Sequence, residues 1–433
     1  MPSVSDHLSD AAIHDRIVEL ITILVVAYGL ALLVRRLRRT RPGLAIGAPV
    51  AAAVALRVLA ASAVSSTSIA GTLRGGDEFT FLFHAEEISQ TSFGSADWTT
   101  ALTQDLHEFA IALQMWALDS PEAALRIGQV GIAVAGLVLL AAAVYELAGP
   151  RAALVAAWIL ALEPTSIFFS SLLHKEPNMM LAAGLVAFGG AMMWKRADLR
   201  SLIPIVVGCL VAVATRPYAG WFLIAAGAAI TLHAGLRSRR EASVRSLMLV
   251  AIVILFGAVS APTVLEASTE SNLGELQESQ DFNAANQDAN LSLERVDFST
   301  REAILTNVWT RVPDVLFRPY PWQLGNASQR FALLGTTAFL AMLMFLIPAV
   351  ARSRGSIMDR AGPLIYVGFF LLIAYSLSSG NAGTAFRYRT HLVVIALCVF
   401  AALRFAEARR PVAAATAQRP SPRPWPLLER ETT

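Results

Sequence analysis

Four short clusters hold the residues best able to do chemistry: GGDEF at 75–79, HKEP at 174–177, RPY at 216–218 and FRYR at 386–389. Asp77 and Glu78 are adjacent carboxylates followed by Phe79, Phe81, Leu82 and Phe83. Half-burying a carboxylate costs desolvation unless a partner is supplied, so such a pair is a poor way to stabilise a fold. It suits a general base toward a hydroxyl, or a grip on a cation or a sugar. The plainer reading is a solvated acid beside an interfacial aromatic belt. His84 and Glu87, three apart on a following helical turn, either extend this site or form a surface pair.

The HKEP cluster is sharper because the chain has only two lysines, Lys175 and Lys195. Lys195 belongs to a basic cluster, whereas Lys175 stands between His174 and Glu176 on the opposite side of the threaded chain. Pro177 suits the first turn of a helix, whose free N–H groups would then point at the cluster. A helix N-terminus with an ammonium beside it is a plausible anion site, and a snorkelling Lys175 paired with Glu176 is the structural alternative. Arg216-Pro217-Tyr218 repeats this geometry, and Arg387 and Arg389 are expected just before the last helix. Cations at three helix starts on one membrane level point to a bound anionic group, most simply a lipid phosphate; ordinary headgroup contact is the alternative.

Further candidates lie nearby. Arg57 falls inside an apolar run, where a charge is expensive, and Glu163 before Pro164 is a candidate partner. The stretch 311–326 (RVPDVLFRPYPWQLGN) reads as an interfacial or re-entrant segment. There Arg318 can meet a phosphate, and Tyr320 and Trp322 a sugar face, an isoprenoid or simply the interface.

These clusters need a scaffold, and composition supplies its class. The 433 residues are 55% hydrophobic and 15% charged, which predicts an all-α polytopic membrane protein. A net charge of +3, with Arg in short clusters between apolar runs, speaks of topology and against nucleic acid. Cys209 and Cys398 both lie in apolar segments, so neither a disulfide framework nor a thiolate metal site is expected. The first run has neither a basic n-region nor a cleavage pattern and is expected to be retained.

Runs able to cross a bilayer lie near 17–35, 44–66, 125–147, 151–170, 178–194, 201–215, 217–235, 246–264, 331–350, 361–378 and 389–407, eleven in all. Residues 103–118 read as a surface helix. Threaded this way, the Arg-rich connections at 35–41, 195–200, 236–245 and 351–360 share one side with a disordered tail at 408–433. The positive-inside tendency makes that side cytoplasmic. The 1–16 segment and the loops 67–124 and 265–330 are then extracytoplasmic, within a transmembrane domain spanning 17–407. Loop 67–124 holds nine Asp or Glu against one Arg.

With these motifs in place, the chain resembles the GT-C superfamily of polyprenyl-phosphate-dependent glycosyltransferases, which includes protein mannosyltransferases and aminoarabinose transferases. GGDEFTFLFHAEEI at 75–88 is similar to the acidic first outer loop of that group, and EPTSIFFSSLLHKEPNMM at 163–180 to its helix-end segment with a basic–acidic pair. RPYPW at 318–322 and FRYRTHL at 386–392 resemble motifs of bacterial polysaccharide-assembly members. The resemblance implies a bacterial inner-membrane glycosyltransferase with an extracytoplasmic active site. Its substrates would be a polyprenyl-phosphate-sugar donor and a glycan or lipid-linked acceptor of the cell envelope.

In that reading Asp77 is the general base, and direct displacement inverts the anomeric centre. Glu78 orients the acceptor or helps hold a divalent cation, Mg or Mn. His174, Lys175, Glu176, Arg216, Tyr218, Arg318, Arg387 and Arg389 bind the donor phosphate, and Tyr320 and Trp322 contact lipid or sugar. Two other readings stay open: an O-antigen ligase or polymerase that works through Arg and His, and a lipid or glycan transporter suggested by Arg57 and Glu163.

Overall fold

The computed structural model describes residues 4–66, 76–95, 105–196, 199–237, 293–325, 327–353, 355–380 and 382–407, with isolated positions between 274 and 281. The expected span at 246–264, most of the 268–300 segment and the tail from 408 lie outside the described residues. The described residues form helices and connections, with no strand among them. The helices are α1 (Val4–Thr40), α2 (Gly47–Ser66), α3 (Gly76–Ser95), α4 (Leu106–Leu118), α5 (Glu122–Ala148), α6 (Pro150–Leu162) and α7 (Pro164–Phe169). They continue with α8 (Glu176–Arg196), α9 (Leu202–Thr215), α10 (Pro217–Arg237), α11 (Arg301–Phe317), α12 (Ala327–Arg352), α13 (Ile357–Ser378) and α14 (Ala382–Arg404). Eight of these are long and apolar enough to cross a membrane, and α6 and α9 are shorter apolar helices. The chain is a multi-pass, all-α membrane protein.

Local chemistry explains most boundaries. Gly149 takes φ 96°, a conformation open to glycine, and Pro150 begins the next helix, so α5 and α6 meet in a one-residue corner. The expected 151–170 span is broken because Pro164 has no N–H to continue the helix, and the Glu163 carboxylate caps the new one through Thr165 N (3.0 Å) and Ser166 N (2.5 Å). Asp105 caps α4 by accepting from His107 N at 2.8 Å. The first part of the 311–326 stretch is helical: α11 runs through Pro313 to Phe317 because Val308, Arg311 and Val315 bury one helical face. Only the part after Phe317 is a turn-rich connection.

The centre of the bundle is α5, α8 and α14, with α1, α2 and α12 outside. Outward side chains such as Leu24, Val25, Leu59, Met344 and Phe345 are exposed and apolar, as a lipid-facing surface requires. α5 and α8 approach backbone to backbone. A Cβ on Gly184 would sit 2.5 Å from the Gly136 carbonyl oxygen, and one on Gly136 2.6 Å from the Met180 backbone. Close contact through small residues is how membrane helices gain packing energy without a hydrophobic drive. Gly184→Ala is therefore expected to destabilise the bundle by about 1–3 kcal/mol through overpacking, read as a lower unfolding temperature of the detergent-solubilised protein.

The helices sort their charges to opposite ends. At one end Glu146 joins Arg41 (2.8 Å) and Arg196 (2.8 Å), and Lys195 donates to the Asp359 carbonyl at 3.0 Å. Glu407 N reaches the Ala148 carbonyl at 3.1 Å, and Arg237 pairs with Asp359. The Arg-rich helix ends at 41, 196 and 237 thus gather there. The starts of α3, α5, α8, α10 and α14 gather at the other end.

Candidate functional site

Asp77 stands in the first turn of α3, the helix that begins directly after the glycine pair. Its carboxylate pairs with Arg387 at 2.7 Å and keeps about half its side-chain surface, 53%, against 17% for the guanidinium. Burial alone would raise the Asp77 carboxyl, but the Arg387 charge and its hydrogen bond outweigh that and hold it below the usual carboxylate range. Arg387 also donates to His174 Nδ1 at 3.2 Å. Beneath this pair, Arg216 bonds Glu176 at 2.8 Å and lies over the Tyr388 ring, 4.6 Å from its centre. Tyr388 stacks on Tyr375 with centroids 4.6 Å apart and shares a hydroxyl–hydroxyl hydrogen bond of 2.5 Å with Tyr218. His391 completes the tier, its Nε2–H donating to the Glu176 carbonyl at 3.1 Å and its Nδ1 accepting from the Tyr375 hydroxyl at 3.1 Å.

One group thus joins Asp77, His174, Glu176, Arg216, Tyr218 and Arg387, six of the expected site residues, from four segments far apart in sequence. Glu176 is 2% exposed and Asp77 is open, so only Asp77 of this pair of acids offers its charge to an incoming molecule. Glu176 Oε2 and one terminal nitrogen of Arg216 are buried with no hydrogen-bond partner among the described residues. A cavity of about 10 Å³ touches Glu176 between Arg57, Ser166 and Thr390, at the lower limit for one water.

Several expected residues point elsewhere. Glu78 is 1% exposed and faces inward, bonded to Arg126 at 2.5 Å and accepting from Leu173 N at 3.1 Å. Adjacent helix positions point about 100° apart, so α3 can show Asp77 to the outside only by turning Glu78 to the core. Glu78 is a strap between α3, α5 and the 170–175 connection, and is not placed to touch an acceptor. The two carboxylates are held by different cations, Asp77 by Arg387 and Glu78 by Arg126. No group of three or more His, Cys, Asp or Glu suited to a metal occurs among the described residues.

Arg389 is likewise separated from Arg387. α14 begins at Ala382, earlier than the expected 389, so both arginines lie within the helix. Two residues apart means about 200° around the axis, so they face opposite sides. Arg389 is 1% exposed and clasps the Leu316 and Arg318 carbonyls, each at 2.9 Å, with Thr336 Oγ1 also at 2.9 Å. It pins the end of α11 to α14. Arg318 pairs with Asp314 at 2.7 Å and lies over Tyr320, which stacks on the exposed Trp322 with centroids 5.0 Å apart. These residues form a second cluster, joined to the first through the backbone that Arg389 holds.

Lys175 pairs with Asp105, the cap of α4, and sits 5.0 Å from the Phe81 ring centre, so its partner is not Glu176. Arg57 is fully buried and donates to the Leu160 (3.1 Å) and Ala161 (3.2 Å) carbonyls and to Ser166 Oγ (2.6 Å). It satisfies the open end of α6, while Glu163 serves the start of α7. His84 pairs with Glu108 of α4 at 3.3 Å.

Arg126, Asp105, His107, Tyr375, Tyr388 and His391 carry no site signal of their own in the sequence, yet all support the site. His107 is buried, its Nε2–H donating to the Leu173 carbonyl at 3.3 Å with Phe81 edge-on to the ring at 5.2 Å. Tyr388 lies inside FRYR, but only its contact with Arg216 and Tyr218 gives it a role. Asp105 sits just ahead of an amphipathic run, which marks it as a cap without revealing its tie to Lys175.

Burial pushes His107 down to about 4; burial, with Arg387 adding to it, pushes His174 down to about 3. Both imidazoles stay neutral when folded but take up protons below about pH 6.5 when unfolded. Stability is therefore fully present above about pH 6.5 and falls by about 1.4 kcal/mol per pH unit for each histidine as the pH drops below it. Thermal unfolding at pH 7.5 and pH 5 should show this loss, and it should flatten in His107→Asn and His174→Asn proteins.

Comparison of the chain with family models, with curated proteins and with solved structures finds no match.

Proposed function

We propose that this protein is a membrane glycosyltransferase that moves a sugar from a polyprenyl-phosphate donor to a lipid-linked or envelope glycan acceptor. The observation that carries the reading is the Asp77–Arg387 pair, a half-open carboxylate bonded to a cation over a buried polar group. Arg216, Lys175 and Arg318 are each matched to a carboxylate, and Arg389 is held by carbonyl and hydroxyl oxygens. A phosphate must therefore take the place of a carboxylate, and the most exposed of these carboxylates is Asp77, on Arg387.

In the proposed cycle Arg387 turns from Asp77 to the donor phosphate. Asp77, freed from the cation, returns toward the ordinary carboxylate range and becomes a better base. It takes the acceptor hydroxyl proton as the acceptor oxygen bonds to the anomeric carbon, while the bond from that carbon to the phosphate oxygen breaks. Polyprenyl phosphate leaves with the bonding electrons, its growing charge matched by Arg387. Backside displacement inverts the anomeric centre. His174 stays neutral and positions Arg387 through Nδ1.

The proposal places the Asp77 end outside a bacterial inner membrane, by the positive-inside tendency of the Arg-rich end. Eleven crossings and a GT-C-like topology belong to the same reading. In support, the described chain leaves the Arg-rich end at Arg237 and resumes on the opposite side, where Leu316 meets Arg389. The intramembrane charges that suggest a transporter, Arg57 and Glu163, have structural partners. The test is mass spectrometry of lipid-linked glycans before and after incubation with purified protein. Donor consumption with a transferred product supports the reading, and no change with any polyprenyl-phosphate sugar counts against it.

A further inference from the structure

A second feature lies at the other end of the molecule and does not depend on the sugar-transfer reading. α1 and α2 meet at the Arg-rich end through a short connection and then lean on other helices more than on each other. Val26 of α1 packs on α5, where a Cβ on Gly131 would sit 2.8 Å from it, and Arg57 ties α2 to α6. Between them opens a cavity of about 850 Å³, lined by apolar residues that include Ala27, Ala31, Val54, Ala55 and Val58. That is the size of an ordinary ligand site. Alanines on both walls keep it wide.

In a bilayer such a slot is filled by hydrocarbon. Its apolar α1 wall from Ile23 to Val34 is roughly 16 Å long at about 1.5 Å per residue, close to half of a hydrocarbon core of about 30 Å. Arg35, Arg38 and Arg39 continue the same lining beyond Val34, where the headgroups of that leaflet lie. All three are exposed, and none has a carboxylate partner among the described residues. Arg41, by contrast, is buried against Glu146. A leaflet-deep apolar slot topped by three exposed guanidinium groups matches a lipid with a negative headgroup better than a zwitterionic one.

We infer that the α1–α2 groove is a binding site for an anionic phospholipid of the leaflet at the Arg-rich end, with an acyl chain in the slot and the headgroup phosphate on Arg35, Arg38 and Arg39. The test uses the full-length protein, delipidated in mild detergent and titrated with phosphatidylglycerol or phosphatidylcholine, with bound lipid counted by native mass spectrometry. Phosphatidylglycerol should bind more tightly, and R35Q, R38Q and R39Q should each weaken it about fivefold. Ala31→Phe with Ala55→Phe should remove the tight site with the arginines intact. Because the arginines are exposed, their variants report on binding even if the plugged protein folds poorly. Equal affinity for the two lipids, or unchanged phosphatidylglycerol binding in the arginine variants, would overturn the assignment. So would cross-links from Ala31 to residues 246–264, which would make the groove an internal packing surface.

Discussion

Asp77→Asn is expected to lower the rate of sugar transfer roughly 10²–10⁴-fold, the usual contribution of a positioned general base. Its fold should survive, because the side chain is half exposed and the amide still offers an oxygen to Arg387. Asp77→Glu should retain part of the activity, since the charge remains and only its reach changes. The pH dependence adds a second readout. Asp77 sits below the ordinary carboxylate range at rest, and His174 is pushed down to about 3, so neither changes protonation in the unliganded protein between about pH 5 and 8. The profile of kcat/KM, which reports the free enzyme, should be level across that window, with the acid limb falling below it. Full activity in Asp77→Asn would favour a ligase or polymerase that works through Arg and His. Movement of a lipid-linked glycan without cleavage would favour a transporter.

Glu176→Gln is expected to cost about 3–5 kcal/mol of stability, because it leaves the buried Arg216 guanidinium without its counter-charge. Against a total of roughly 5–15 kcal/mol for a folded protein, that is a large share. Arg216 is held on the face of Tyr388 and cannot turn to water without unstacking the tyrosine tier. The measurement is thermal unfolding in detergent, with Glu176→Gln/Arg216→Met as the control. Removing both charges together should recover much of the loss, because the penalty comes mainly from the orphaned cation. If the single variant melts with the parent, Glu176 is not the counter-ion that holds this end of α8 to α9 and α10.

The membrane class, most helix positions and the residues of the main cluster are legible in the sequence because each has a local cause. Twenty-residue apolar runs follow from bilayer thickness, Pro177 and Pro217 suit helix starts, and Arg clusters separate by side. Less legible are the boundaries where one side chain decides. Glu163 breaks an apolar run by capping a new helix, and Ala382 starts α14 before the arginines expected to precede it. That early start also decides which arginine serves the site, since facing direction depends on register along the helix.

By itself, the sequence determined an all-α membrane chain with its unusual acids, cations and tyrosines gathered on one side. Hydrophobic length and charge asymmetry act along the chain and need no tertiary contact to be read. Only the tertiary structure decided the pairings: Asp77 with Arg387, Glu78 with Arg126, Lys175 with Asp105, Arg216 with Glu176, and Arg389 with backbone carbonyls. The physical reason is that a buried charge takes its counter-charge or carbonyl from whichever element packs against it, and those partners here lie tens to hundreds of residues away. Tertiary packing thereby turned a set of apparently free outer cations into a neutralised network with one half-open carboxylate, Asp77.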